Sequence, residues 1–419
     1  MNREWSVVPI SHIVEGIYDG PHATPPPAIE GPVFLGIGNI SEDGHLDLSD
    51  VRHIAEADFA QWTRRVTPSP GDIVFTYEAT LNRYAIIPPG FRGCLGRRTA
   101  LIRPDIRKVD TRFLFYSFFS REWRDTIDAN RLSGATVDRI PIARFPNFPV
   151  RLPPLPIQRR IASILGAYDD LIEVNRRRIA ILEEMARRLF DEWFVHFRFP
   201  GHEGHPIVET EQGRIPEGWQ LLNASEAIAF DPPTRVPREG AKPFIGMNAL
   251  STSTSIIDDP EQREGNSGSK FQNGDTLLAR ITPCLENGKT GLVRGLLSAG
   301  GIGFGSTEFI VMRQKAVGPA YIYCLARSAP FRAHAVKSMS GATGRQRVRV
   351  ESLKQFPVAV PGRDLLGQFE QVAWPMLNGA GIYADANKRL AASRDLLLPR
   401  LISGELFVTA AETALEAAA

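Results

Sequence analysis

Asp231-Pro232-Pro233-Thr234 is the stretch of this chain that comes nearest to a catalytic motif. Enzymes that methylate amino groups of DNA bases use Asp or Asn, two prolines and an aromatic ring, and that ring stacks on a base turned out of the duplex. Thr234 cannot stack, and no glycine-rich cofactor loop follows a strand ahead of it. The tetrad therefore reads as an ordinary turn, and a stand-alone DNA adenine methyltransferase is the lesser reading. His202 and His205 in PGHEGHP have a spacing that suggests a metal. With no cysteine nearby and a turn-like context they read as solvated linker, and no metal site is expected. Gly36-Ile37-Gly38-Asn39 lacks the third glycine and the following helix of a dinucleotide loop. No GxxxxGK[ST], GxSxG or HExxH occurs, so no catalytic residue is assigned.

What is left is recognition chemistry. Thr76, Tyr77, Arg83, Arg97 and Arg98 cluster around glycine-rich turns in the first half of the chain. Arg280, Thr282, Asn287, Lys289 and Arg294 do so in the second, with Thr343 and the basic turn that carries Arg345 and Arg347. Arg and Lys make phosphate contacts and bidentate bonds to guanine, whereas Asn and Gln suit adenine. Any one of these side chains could simply be solvated. As a group, on loops of a duplicated scaffold, they favour binding.

The element that must hold them apart is a helix over residues 157–197. Ile161, Leu165, Tyr168, Ile172, Asn175, Ile179, Leu182, Ala186, Leu189 and Trp193 alternate in steps of four and three, which is a heptad seam. Pro153, Pro154 and Pro156 start the helix and Pro200-Gly201 ends it. About forty residues at roughly 1.5 Å each make a rod of about 60 Å. Asn175 is polar inside the seam, where such a residue fixes register at some cost in stability, and Asn387 is its candidate partner.

The rod stands between two copies of one pattern. Trp5 matches Trp219, Pro70-Gly71-Asp72 matches Asn273-Gly274-Asp275, and Ser133-Gly134-Ala135-Thr136 recurs as Ser340-Gly341-Ala342-Thr343. Phe148-Pro149-Val150 recurs as Phe356-Pro357-Val358, leading to Gln158 and Gln368. The matches keep their order at separations of about 203 to 214 residues, the mark of a duplication. A second helical stretch carries its own seam through Phe369, Val372, Met376, Gly379, Tyr383, Ala386, Leu390, Ser393 and Leu397. Pro375 predicts a kink or a late start near Met376. The expected fold is α+β: two duplicated domains separated by two long helices that form an antiparallel coiled coil about a pseudo-twofold.

Composition agrees with this layout. A chain of 419 residues should hold two or more domains, and 43% apolar residues suffice for real cores. A net charge of +2 means that any basic surface is local. Cys94, Cys284 and Cys324 are scattered, which fits a reducing cytoplasm and argues against a disulfide framework. MNREWSVVPI lacks a signal-peptide core, and no stretch approaches the roughly 18 apolar residues of a membrane span. The expectation is a soluble, cytoplasmic protein with no membrane partner.

These pieces resemble one family along nearly the whole chain: the specificity subunits of type I restriction–modification systems. RLPPLPIQRRIASILGAYDDLIEVNRRRIAILEEMARRLFDEWFVHFRFPG resembles the family's central conserved helix and exit turn, and DLLLPRLISGEL its distal conserved end. GDIVFT, LARITPCLENGK, GSTEFIVMR and the two SGAT stretches are similar to recurring pieces of its target recognition domains. Ile157 stands where the family usually has Glu before Gln158, and Pro375, Gly379 and Gly381 make the second helix irregular.

The resemblance implies a first target recognition domain at residues 1–152, a central helix at 153–200, a second recognition domain at 201–360, a distal helix at 361–408 and a flexible tail at 409–419. It implies a non-catalytic subunit in which each recognition domain reads one half of a split site in double-stranded DNA while the helices set the spacer. Two modification subunits would dock there with S-adenosylmethionine, and two motor-nuclease subunits would bring ATP and Mg. No cofactor would sit on this chain.

Overall fold

The computed structural model describes residues 5–133, 137–210, 213–296, 300–342 and 344–406. The chain divides into two compact units, Met1–Ile172 with Arg389–Ala419, and Glu173–Lys388. Both mix helix and sheet. Gly134, Ala135, Thr136, Thr343 and the tail from 407 onward lie outside the described residues.

In the first unit an antiparallel sheet runs in the order Val14–Asp19, Thr99–Pro104, Ile73–Thr76, Tyr84–Ile86. Successive strand side chains face opposite ways. Ile73 and Phe75 accordingly enter a core with Phe113, Trp123 and Phe145, while Val74 enters another with Leu35, Ile87 and Leu101. That double burial is why Ile73-Val74-Phe75-Thr76 reads as a short continuous apolar run. Ser6–Pro9 pairs with Pro149–Leu152, closing the unit just before the long helix.

The second unit repeats the plan. Its sheet order is Ile228–Phe230, Phe309–Gln314, Thr276–Ala279, Thr290–Leu292, and Gln220–Asn223 pairs with Pro357–Val360. The repeated Gly-Asp has a clear cause in both. Gly71 (φ 89°) and Gly274 (φ 93°) take the left-handed turn that glycine allows. Asp72 is then buried and held by Arg103 at 2.7 and 2.9 Å, as Asp275 is held by Arg313 at 2.7 Å through both oxygens.

The central helix spans Leu155–Phe190 and passes into one π turn, Asp191–Val195. Its heptad positions Ile161, Leu165, Ile172, Asn175, Ile179, Ala186 and Trp193 are buried, and Tyr168, Leu182 and Leu189 are half-buried. The distal helix runs unbroken over Arg363–Ile402, so the late start expected at Met376 does not occur. Pro375 costs one backbone bond and crowds the preceding turn, about 3 kcal/mol in a helix interior. Phe369, Ala373 and Leu377, all fully buried around it, offset that cost.

The seam of the distal helix also lies one position later than the pattern of large residues suggests. Its most buried line passes through Phe369, Ala373, Leu377, Ala380, Ala384, Arg394, Leu398 and Leu401. Tyr383, Leu390 and Leu397 flank it half-buried, while Val372 and Ser393 are exposed. The reason is steric. In the second unit the facing helix comes close enough for a methyl on Gly379 to touch Leu182 at 3.5 Å, so small residues take the contact. Asn175 meets Asn387 there, 212 residues away in sequence. The same separation relates Gln158 to Glu370, not to Gln368, which is exposed. Gln158 accepts from the Asp110 amide at 2.9 Å, and Glu370 accepts from the Ala320 and Tyr321 amides at 3.2 and 2.9 Å. Each therefore receives amides at the start of a helix, Thr111–Ser117 in the first unit and Pro319–Arg327 in the second.

Candidate nucleic-acid interface

One end of the first unit's sheet gathers five of the candidate residues. The strand Ile73–Thr76 runs out into a loop, residues 77–83, in which Ala79 and Asn82 are left-handed (φ 70° and 61°). The short hairpin of Leu132–Ser133 and Asp138–Arg139 braces this loop: the Ile140 amide donates to Tyr77 O at 2.8 Å and the Ala79 amide to Asp138 O at 2.9 Å. The Tyr77 amide donates to Arg98 O, and the Thr76 amide to Arg83 O. Thr76, Tyr77, Arg83, Arg97 and Arg98 are thus neighbours.

Their side chains are not equally available. Thr76 is buried, and its hydroxyl has no hydrogen-bond partner among the described residues. The buried Tyr77 phenol donates to Arg97 O at 3.0 Å; burial, reinforced by Asp19 and Glu78, pushes it up to about 12, so it stays a donor. Arg83 is taken by Glu42 at 2.9 Å and Arg98 by Glu78 at 3.2 Å. Arg97 is exposed, with no partner for its guanidinium among the described residues. It is the member of the group free to reach a phosphate or a base edge.

The second unit builds the same corner. The Val348 amide donates to Arg280 O at 2.9 Å and the Thr282 amide to Gln346 O at 3.0 Å, so the basic turn braces residues 280–289. Ala279 and Asn287 tie the ends of the loop to Lys289 O and Pro283 O. Arg280 donates to Val348 O, Thr282 to Gln346 O and Lys289 to Met247 O. Arg347 grips Glu308 through several bonds of 2.6–3.0 Å, and that contact holds the Glu308 carboxyl below the usual range. Arg345 and Asn287 are exposed and their side chains have no partner among the described residues. Thr343 lies outside them.

Lys270, which belongs to none of the sequence motifs, lines a cleft of roughly 610 Å³ with Arg280, Ser269 and Asp231-Pro232-Pro233-Thr234. Only its place on a short polar–apolar strand could have marked it. In that tetrad the Asp231 carboxylate accepts from the Val311 amide at 2.9 Å, and burial pushes its pKa up. Thr234 accepts from Arg313 at 2.8 Å. Asp231 forms a bend, and Pro232, Pro233 and Thr234 take no regular structure. His202 and His205 bond the carbonyls of Phe199 and Glu217. No cluster of metal-ligating side chains, and no helix long and apolar enough to cross a membrane, occurs among the described residues.

Known proteins resemble the chain as follows. The model of the type I restriction modification DNA specificity domain matches residues 63–184. The type I restriction enzyme EcoEI specificity subunit of Escherichia coli is 31% identical over 163 residues, 37% of this chain but only 27% of that one. The MjaIX specificity subunit of Methanocaldococcus jannaschii is 23% identical over 374 residues, 85% of this chain and 82% of that one. The crystal structure of a type I restriction–modification S subunit from M. genitalium shares the fold, with a TM-score of 0.57, 14% identity and coverage of 96% and 97%.

Proposed function

Because the chain belongs to the specificity subunits of type I restriction–modification systems, we propose that it reads a split DNA sequence and leaves the chemistry to partners. The observation that carries this is the repeated corner: in both units a loop braced by a short hairpin stands at the same end of a matching sheet, with exposed Arg97 on the turn beside it in one, and exposed Asn287 on the loop and Arg345 on the bracing turn in the other. Each would contact one half-site, with phosphate contacts supplying affinity and base edges supplying sequence.

The two long helices act as an antiparallel coiled coil about a pseudo-twofold and set the unread spacer, since half-site separation is a geometric property of the protein. The bond between Asn175 and Asn387, equivalent residues of the two helical repeats, supports this arrangement. Two modification subunits holding S-adenosylmethionine dock on the helices, and two motor-nuclease subunits using ATP and Mg complete a cytoplasmic complex. Thr234 in place of an aromatic ring leaves an independent methyltransferase without its stacking group.

Expression with a modification subunit, followed by mapping of N6-methyladenine, should give one bipartite motif with a fixed gap. Methylation of DNA by the purified chain with S-adenosylmethionine alone would overturn this function.

A further inference from the structure

Each unit holds an arginine over a glycine of a long helix, with an aspartate one turn further along. In the first unit Arg112 lies over Gly166 of the central helix and donates to both oxygens of Asp170, at 2.7 and 2.9 Å. In the second, Arg294 lies over Gly381 of the distal helix and reaches Asp385 at 3.3 Å. A methyl on Gly166 would sit 2.5 Å from Arg112 Nη1, and one on Gly381 would sit 1.7 Å from Arg294 Cζ. The other glycines of the distal helix are not confined in this way: Gly367 has open space and Gly379 an ordinary contact. Nor are the two arrangements copies of each other, because the 212-residue separation carries Gly166 to Asn378.

Energy alone does not account for them. Glycine inside a helix costs about 1 kcal/mol relative to alanine. The Arg112 and Asp170 side chains are 48% and 61% exposed, and such exposed pairs return at most about 1 kcal/mol. What the forked contact of Arg112 supplies is direction, whereas Arg294 makes a single bond to Asp385 and is held by its close seat over Gly381. Arg112 sits in the first turn of the helix Thr111–Ser117, whose preceding residue Asp110 is bound by Gln158 and whose Tyr116 donates to Asp169 at 2.5 Å. Arg294 follows Thr290–Leu292, the edge strand next to the loop 280–289. Both arginines therefore join the body that carries a recognition loop to the helix beneath it.

We propose that Arg112–Gly166–Asp170 and Arg294–Gly381–Asp385 are positioning clamps that set the angle of each recognition body on its helix, and thereby the number of unread base pairs between the half-sites. This rests on the function proposed above. The test is the methylation map of the chain in complex with its modification subunit, for wild type, Gly166→Ala, Gly381→Ala, Arg112→Met, Arg294→Met and the control Gly367→Ala. The control should keep motif and gap. The clamp variants should keep the bases of both half-sites while methylation at the original gap falls about tenfold and sites with a neighbouring gap gain it. The alanine variants should melt no lower than wild type, because alanine favours helix. Arginine variants that keep the original gap at full efficiency, or that lose methylation at every gap, would overturn the clamps. A wild-type chain that yields no split motif would instead overturn the function on which they rest.

Discussion

Asn175 donates from Nδ2 to Oδ1 of Asn387 at 2.9 Å, inside a strip otherwise lined by Ile179, Ala380 and Ala384. An amide pair of this kind, with Asn175 buried and Asn387 half-buried, gives little net stability but penalises any register that separates its members. Asn175→Leu removes this hydrogen bond and should lower stability by about 1 kcal/mol. Replacing both asparagines by leucine should restore much of that loss. Thermal melts of the two single variants and the double variant provide the check, and a double variant as unstable as the sum of the singles would contradict a coupled pair.

Ile179→Asp puts a carboxylate at a position only 8% exposed and packed with Ala380 and Ala384. Burying such a charge should cost several kcal/mol, about 3 or more. Helical circular dichroism should weaken and co-purification with the modification subunit should fail. Wild-type behaviour in both would show that the strip does not hold the helices together.

Glu370 provides a pH test. Burial pushes its carboxyl up from an ordinary value of about 4.5, only partly opposed by the amides of Tyr321 and Ala320. A carboxyl with a raised folded pKa stabilises the fold below its unfolded value, and that contribution is lost as pH rises through the folded one. Glu370→Gln, which copies the neutral Gln158 of the first unit, removes this dependence. The variant's Tm minus that of wild type should become more positive from pH 4 to pH 7. A difference that stays flat or turns negative would refute the assignment.

The paired and unpaired arginines should behave differently. Arg345→Ala should weaken DNA binding by the complex about equally across sequences or relax one base position, and a lost phosphate contact would lower the salt slope by about 1. Arg313→Ala strands Asp275, whose carboxylate is 1% exposed, and should cost about 3–5 kcal/mol of stability. Titrations at several salt concentrations, read beside melting curves, separate the two effects.

Much of this was legible in the residues because it rests on periodicity and punctuation. The central seam shows in its four-and-three spacing, and the buried Asp72 and Asp275 show in a Gly-Asp repeat. The distal seam was displaced by one residue because alanine and glycine make the close contact there, while side-chain size draws attention to Tyr383, Leu390 and Leu397. Arg83, Arg98 and Arg347, candidate DNA contacts, are engaged by Glu42, Glu78 and Glu308. Which cations a fold neutralises depends on carboxylates tens of residues away, and no local pattern carries that information.

The central claim is that each unit reads its own half of a split site. The most direct measurement replaces residues 1–150 with the corresponding segment of another specificity subunit and maps methyladenine in cells that also express the modification subunit. One half of the motif should change, while the other half and the gap remain. A motif altered in both halves, or in neither, would contradict the account.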